Sequence, residues 1–390
     1  MGCADVSGMV GEVMKRKKLL FFVTEDWYFC SHRLPLAIAA KDAGFDVGVV
    51  TRVRSHGEQI QKAGLRLISL ELSRRGMNPV KELQLIMHLT AIYRKEKPDF
   101  VHHVALKPVL YGSMAARIAR IDFVVNAMAG LGFLFSSRSV TARLAKRPVL
   151  LLMRFLLNKE GSRVILQNPD DVRLMCDGGI LPRSCIALIR GSGVDIQQFS
   201  VQPEPDGKPL VILASRLLWD KGVGEFVDAA RILLKQGVAA RFALVGEGDV
   251  ENLSAISDEQ LRDWQKEAVV EVWGRREDMP KVFAESHIVC LPSAYGEGVP
   301  KVLIEAAACG RPIVTTDAPG CREIVEDGVN GLLVPLRDTD AVVNALKILI
   351  ESSNLRQEMG ARGRELVERE FSLEKVNNET LSLYEEIQSE

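Results

Sequence analysis

The sequence predicts an α/β protein of two successive domains, each a doubly wound parallel sheet, facing each other across a cleft. Three observations carry that prediction. Short apolar runs alternate with longer helical patterns, which is the rhythm of βαβ units. The rhythm stops once, at the polar, proline-bearing loop 202–208, and then restarts. The chain has 390 residues, 47% hydrophobic and 26% charged, which suits two soluble cores rather than one.

In chain order, residues 1–14 form a tail outside the fold. They lack the basic start and long apolar core of a signal peptide, and Val6 stands where myristoylation wants Ser or Thr. Residues 15–200 carry the first domain, with strands expected at 19–24, 47–51, 65–70, 100–103, 123–127, 164–166 and 186–189. Residues 201–371 carry the second, with strands at 210–214, 242–245, 269–273, 288–291, 313–316 and 331–334. No run reaches the roughly 18 apolar residues that a spanning helix needs. The seven cysteines contain no C-x-x-C pair, so they read as reduced, structural thiols of a cytoplasmic protein, and no metal cluster emerges.

Charge is divided unevenly. Residues 1–200 hold 29 Lys+Arg against 17 Asp+Glu, leaving 21 against 34 of the totals of 50 and 51 for the rest. A basic half faces an anionic partner. No aromatic-and-basic stacking pattern supports nucleic acid, so an anionic membrane surface is the expected partner. Residues 138–163 sharpen this, with Arg138, Arg143, Lys146, Arg147, Arg154, Lys159 and Arg163 around the block VLLLMRFLL. Two readings fit it, a helix lying in a bilayer interface and a core helix with a solvated basic face.

The stretch LPSAYGEGVPKVLIEAAACGRP concentrates the chemistry. Gly296 and Gly298 open a loop that carries Glu297, and Pro300 is suited to a helix start. The helix ends at Gly310, with Pro312 beyond. Glu305 falls inside this helix among Val302, Leu303, Ile304 and three alanines, so it is a buried carboxylate in need of a polar partner. The free amides at the helix start, Gly298 and Lys301 form a place for an anion. Donors for phosphate beside an acceptor for hydroxyls suit a sugar nucleotide. Upstream, Arg216 ends a strand and Lys221 opens the next helix, where a cation opposes the helix dipole by roughly 0.3–1 kcal/mol unless an anion binds. Asp338-Thr339-Asp340 has a metal-binding spacing, but it directly precedes a helix and reads as an N-cap with a first-turn acid.

E-x7-E over Glu297 and Glu305, with R-x4-K over Arg216 and Lys221, resembles the retaining glycosyltransferases of family 4, which have the GT-B fold. The resemblance covers nearly the whole second domain. It implies that Arg216 and Lys221 grip the donor diphosphate and that Glu305 holds the ribose hydroxyls. It places Glu297 at the transferred sugar, with the amides of Gly298 and Val299. Loops at Gly246 and at Gly274–Arg275 would line the nucleotide pocket, and residues 372–390 would cross back onto the first domain. Attack on the face of departure would need no protein nucleophile, and the positive field of Arg216, Lys221 and the helix start after Glu297 would stand in for a metal, with no cofactor expected. Closer still, SRLLWDKGV in the second domain, with GLGF and the R-x-P of Arg33–Pro35 in the first, resembles bacterial enzymes that extend undecaprenyl-diphosphate-linked glycans.

In that first domain the sequence offers Arg33, ahead of Pro35, after the first strand. Cleft lining and an ordinary strand-to-helix loop both fit it. His102 and His103 end the fourth strand, and only one can point into the cleft. His103 is the expected one, as a catalytic residue, with Lys107 beside it. Gly130 and Gly132 follow the fifth strand as a phosphate-loop signal lacking a dinucleotide fingerprint. Arg33, Lys107, Gly130 and Gly132 form the expected acceptor side. The function expected is transfer of a sugar from a UDP-sugar to a polyprenyl-diphosphate saccharide, with the enzyme resting on the inner face of the cytoplasmic membrane. The rivals are transfer to a soluble acceptor, a GT-B UDP-sugar 2-epimerase and a non-enzymatic sugar-binding protein.

Overall fold

Each apolar run becomes a strand, and every strand pairing is parallel. A computed structural model describes residues 16–72, 78–131, 140–249 and 251–389, with the side chains of residues 140–147 excepted. The tail 1–14, Gly132 and Arg138 lie outside the described residues, as do the side chains of Arg143, Lys146 and Arg147.

The first sheet contains β1 Lys18–Glu25, β2 Asp46–Arg52, β3 Arg66–Ser69, β4 Phe100–Val104, β5 Phe123–Ala127, β6 Ser162–Leu166 and β7 Ile186–Leu188. Its order is β3-β2-β1-β4-β5-β6-β7. The second contains β8 Leu210–Ala214, β9 Arg241–Val245, β10 Glu271–Gly274, β11 Ile288–Leu291, β12 Ile313–Thr316 and β13 Gly331–Val334, ordered β10-β9-β8-β11-β12-β13. Strand order therefore reverses between β1 and β4 and between β8 and β11. Ligands of open parallel sheets bind beyond the carboxyl ends of the strands at such reversals.

The strands read as continuous apolar runs because both faces are covered. In β1, Leu19, Phe21 and Val23 enter one layer with the helix Leu34–Asp42. Leu20 and Phe22 enter the opposite layer, beneath the helices Pro79–Glu96 and Leu106–Ala119. The last helix, Leu373–Ser389, places Val376, Leu383, Tyr384 and Ile387 in the first sheet's core rather than the second's. A single continuous core fills the second sheet and includes Leu303 and Ile304 of the helix Lys301–Ala308. Each of these two buried side chains contributes on the order of 1.5–3 kcal/mol. Leu303→Ala would loosen the helix that carries Glu305.

That helix begins at Lys301 with Pro300 as its N-cap, and Gly310 follows its end with φ +69°. At the first sheet's reversal, Ala105 has φ 76°, a conformation costly for a residue with a Cβ. Its N–H is held by the carbonyl of Ala127 at 3.0 Å, so β5 fixes how the chain leaves β4.

Candidate active site

Loops leaving β8 and β11 bring the second sheet's polar residues to its reversal point. A short 3-10 turn, Trp219–Lys221, follows β8 and turns the Lys221 ammonium onto the Glu297 carboxylate, with which it forms an ion pair. Both side chains are only 12% exposed. Burial disfavours the charged ammonium, but Glu297 and then Tyr295 outweigh it and hold Lys221 above the ordinary lysine value. The ammonium also lies 5.7 Å from the centre of the Tyr295 ring. Only one carboxylate oxygen of Glu297 is engaged, for Oε1 is buried without a partner among the described residues. A sealed, unpaired carboxylate oxygen is costly, and a ligand hydroxyl would satisfy it.

Glu305 is buried and finds its partner one helical turn earlier, where Lys301 Nζ lies 2.7 Å from Oε1. Arg216 pairs with Asp249 at 2.8 Å and remains 41% exposed. Gly246 and Gly274 meet through a 2.8 Å backbone hydrogen bond at the ends of β9 and β10. Arg275 stands beyond them on the rim, 3.3 Å from Glu247. Asp338 caps the helix Thr339–Glu351 by accepting from the Ala341 amide at 2.9 Å.

The first sheet presses its own loops against this group. Gly130, at φ +91°, lies so close to the Glu297–Val299 loop that a Cβ there would be 2.4 Å from the Gly298 nitrogen. Within the second domain, a Cβ on Gly320 would strike the Gly298 carbonyl. Gly298 thus meets two other backbone segments, at Gly130 and at Gly320, with no room for a Cβ on either glycine.

Arg33 is 97% buried, being 3% exposed, and meets no carboxylate among the described residues. Its Nε is sealed without an acceptor, and so are His32 Nδ1 and His102 Nε2. Burial lowers the Arg33 pKa, against the opposing influence of Tyr28 and Tyr384. His32 is held down to about 3 by burial and then by Lys301 and Arg33, so cations from both sheets converge here.

Two expectations are corrected. His103 does not face the cleft: it is fully buried, with Nε2 3.0 Å from the Tyr93 hydroxyl and Nδ1 2.8 Å from Asn126 Oδ1. Its neighbour His102 faces the other layer, 2.6 Å from the Tyr384 hydroxyl. Both lie inside β4, short of its end at Val104, so the expectation that one must reach the cleft fails. Lys107 is taken up by its own domain, pairing with Glu82 at 3.0 Å and lying 5.2 Å from the Tyr111 ring centre.

The sequence reading missed residues that join the sheets. Gln167 Oε1 accepts from the Val299 amide at 2.9 Å, and Asn168 Nδ2 donates to the Glu297 carbonyl at 3.2 Å. Glu251 bridges Arg52 at 3.2 Å and Arg54 at 3.5 Å, while Arg52 also pairs with Glu25. Asn168-Pro169 is a legible helix start, and Asn168 caps the helix Pro169–Asp177. Its second role leaves no local pattern.

Comparison with known proteins agrees with this architecture. Residues 18–168 match the family model described as glycosyl transferase 4-like, and residues 208–352 match glycosyl transferases group 1. The chain is 30% identical, over 83% of its length and 87% of the relative's, to the N,N'-diacetylbacillosaminyl-diphospho-undecaprenol alpha-1,3-N-acetylgalactosaminyltransferase of Campylobacter jejuni. It is 23% identical to the capsular polysaccharide biosynthesis glycosyltransferase CapM of Staphylococcus aureus, over 95% of this chain and 97% of that protein. The fold is similar to that of Anabaena HepE in complex with UDP and glucose, with a TM-score of 0.76, 20% identity, and 94% and 99% of the two chains covered. The chain belongs to the group 1, family 4-like glycosyltransferases, and is itself a glycosyltransferase of the GT-B fold.

Proposed function

We propose that this enzyme transfers an N-acetylhexosamine or a related sugar from a UDP-sugar to a polyprenyl-diphosphate saccharide, with retention and an α-linked product. The observation that carries the donor half is the buried Lys221–Glu297 pair at the second sheet's reversal point. Lys221 and Arg216 would stabilise charge on the departing diphosphate, a preorganised electrostatic role worth on the order of 100-fold in rate per donor. The helix start beyond Val299 would add its unpaired amides, so no divalent metal is required. Glu305 would hold the ribose hydroxyls, and the Glu297 oxygen left without a partner would accept from a hydroxyl of the sugar. Gly246, Gly274 and Gly298 would complete the nucleotide side beside Val299, whose own amide is taken by Gln167 Oε1 at 2.9 Å, with Arg275 at its rim. In this reading residues 201–371 carry the donor, and residues 15–200 with 372–390 carry the acceptor.

The acceptor half is supported by Arg33, a buried guanidinium awaiting an anion, and by Gly130 where the two sheets meet. The Campylobacter relative's name supplies the diphospho-undecaprenol acceptor and the acetamido sugar. A membrane position is supported by the basic first half and by apolar side chains left on its surface. Leu151 and Phe155 are exposed on the helix Val140–Leu157, and Val80, Leu83 and Met87 on Pro79–Glu96. No helix among the described residues is long and apolar enough to cross a membrane, so contact would be interfacial, at the inner face of the cytoplasmic membrane.

The test offers a panel of radiolabelled UDP-sugars with either an undecaprenyl-diphosphate saccharide or a soluble sugar phosphate. Label is expected in the lipid fraction, with UDP released only when the acceptor is present. Transfer to the soluble acceptor alone would overturn the lipid-linked half.

A further inference from the structure

We propose that Gln167 and Asn168 are positioning residues for sugar transfer, holding the Glu297–Val299 loop of the opposite sheet in its working place. The proposal rests on the donor-site reading above. Both residues follow directly from β6, and both are buried. Gln167 Oε1 accepts from the Val299 amide at 2.9 Å, and its side chain lies over Gly298, where a Cβ would come within 2.1 Å of Oε1. Asn168 Nδ2 donates to the Glu297 carbonyl at 3.2 Å and to Asp171 Oδ2 at 3.0 Å, while Oδ1 accepts from the Asp171 amide at 2.8 Å.

The chemistry of the two side chains matches the two demands of the loop. Val299 presents an N–H and needs an acceptor. Glu297 presents a carbonyl and needs a donor, which a carboxylate in place of Asn168 would not supply. A third hydrogen bond, from the Glu297 amide to the Pro319 carbonyl at 3.1 Å, fixes the other side of the same residue. The backbone on both sides of Glu297 is thereby held, and with it the carboxylate that pairs with Lys221.

The same network reaches the acceptor side. Asp171 Oδ2 accepts from the Leu131 amide at 3.1 Å as well as from Asn168. One carboxylate therefore ties the loop after β5 to the residue that grips the donor loop. Misplacing a reacting group by about 1 Å costs on the order of 100-fold in rate, so loss of this support is a catalytic defect before it is a binding defect.

The experiment uses the full chain with Gln167→Ala and with Asn168→Ser, which keeps a hydroxyl for the helix cap but loses the donor to Glu297. In both variants kcat is expected to fall about 100-fold, with the donor KM within about threefold of the parent. UDP release without acceptor should become a larger share of turnover. In the unliganded protein, hydrogen exchange at the Val299 amide should quicken at least ~10-fold in Gln167→Ala, a readout that needs no activity. Unchanged kcat in folded variants, or unchanged exchange at Val299, overturns the positioning role. A parent that transfers from no UDP-sugar is instead a failure of the donor reading, and the exchange measurement still decides whether Gln167 anchors the loop.

Discussion

Lys221 and Glu297 form a buried ion pair at the reversal point of the second sheet, whereas Arg216, five residues before Lys221, is paired with Asp249 and half exposed. The two cations therefore differ in what their removal leaves behind. Loss of Lys221 strands a buried carboxylate whose other oxygen has no partner among the described residues, while loss of Arg216 leaves Asp249, itself 10% exposed, still accepting from the Glu251 amide at 3.2 Å.

Lys221→Ala should lower kcat about 100-fold or more and also destabilise the protein by on the order of 3 kcal/mol. Arg216→Ala should lower kcat with little change in thermal midpoint. Glu305→Ala should mainly weaken UDP, seen by calorimetry as a rise of about tenfold or more in Kd. Steady-state kinetics with thermal denaturation separate these cases, and near-normal kinetics in all three would remove the donor-site assignment.

Arg33→Gln should raise the acceptor KM while leaving UDP affinity near that of the parent. Because an uncompensated buried guanidinium is unfavourable, the same variant should hold or raise the thermal midpoint. A higher donor KM with an unchanged acceptor KM would move Arg33 to the donor's phosphates.

Stability should fall on the acid side because His102 and His103 are buried neutral and His32, half-buried with its Nδ1 sealed, is held neutral as well. Burial holds His103 down to about 4 and His32 to about 3, with His102 well below the ordinary range. The unfolded chain binds protons at these sites from about pH 6.5 downwards, so stability present above that pH is lost as pH drops towards 4. His103→Gln should make the decline shallower by about one proton, measured as denaturation midpoint against pH. An unchanged slope would mean that His103 is already charged when folded.

Vesicles containing anionic lipid should bind the protein and release it as salt rises, since exposed charges are screened within about 10 Å at 0.1 M. Reversing Arg143, Lys146 and Arg147 should weaken binding through charge, and Leu151→Ser with Phe155→Ser should weaken it through lost apolar contact. Cosedimentation equal to that of the parent would exclude this surface.

The strands were legible because a sheet covered on both faces writes itself as an unbroken apolar run. Leu19 to Val23 and Leu210 to Ala214 each announce a central strand without reference to any partner. Glu305 was legible for the opposite reason, as a charge in an apolar helix. His103 was misread because alternation along a strand gives which face a residue takes, not whether that face opens on the cleft. Here both faces of β4 are covered, by Tyr93 on one side and Tyr384 on the other. Gln167 and Asn168 were invisible as partners of Val299 and Glu297, because a contact across 132 or 129 residues leaves no spacing in either segment.

The stacking of Gly130, Gly298 and Gly320 carries a mechanical consequence. Where side chains meet, rotamers let a surface give way; where peptide planes meet, nothing can swing aside. Where Gly130 meets Gly298, the contact between the two domains therefore has a thickness that no rotamer change can reduce. A single methyl group at Gly130 would act as a wedge driven between the loop after β5 and the Glu297–Gly298 backbone.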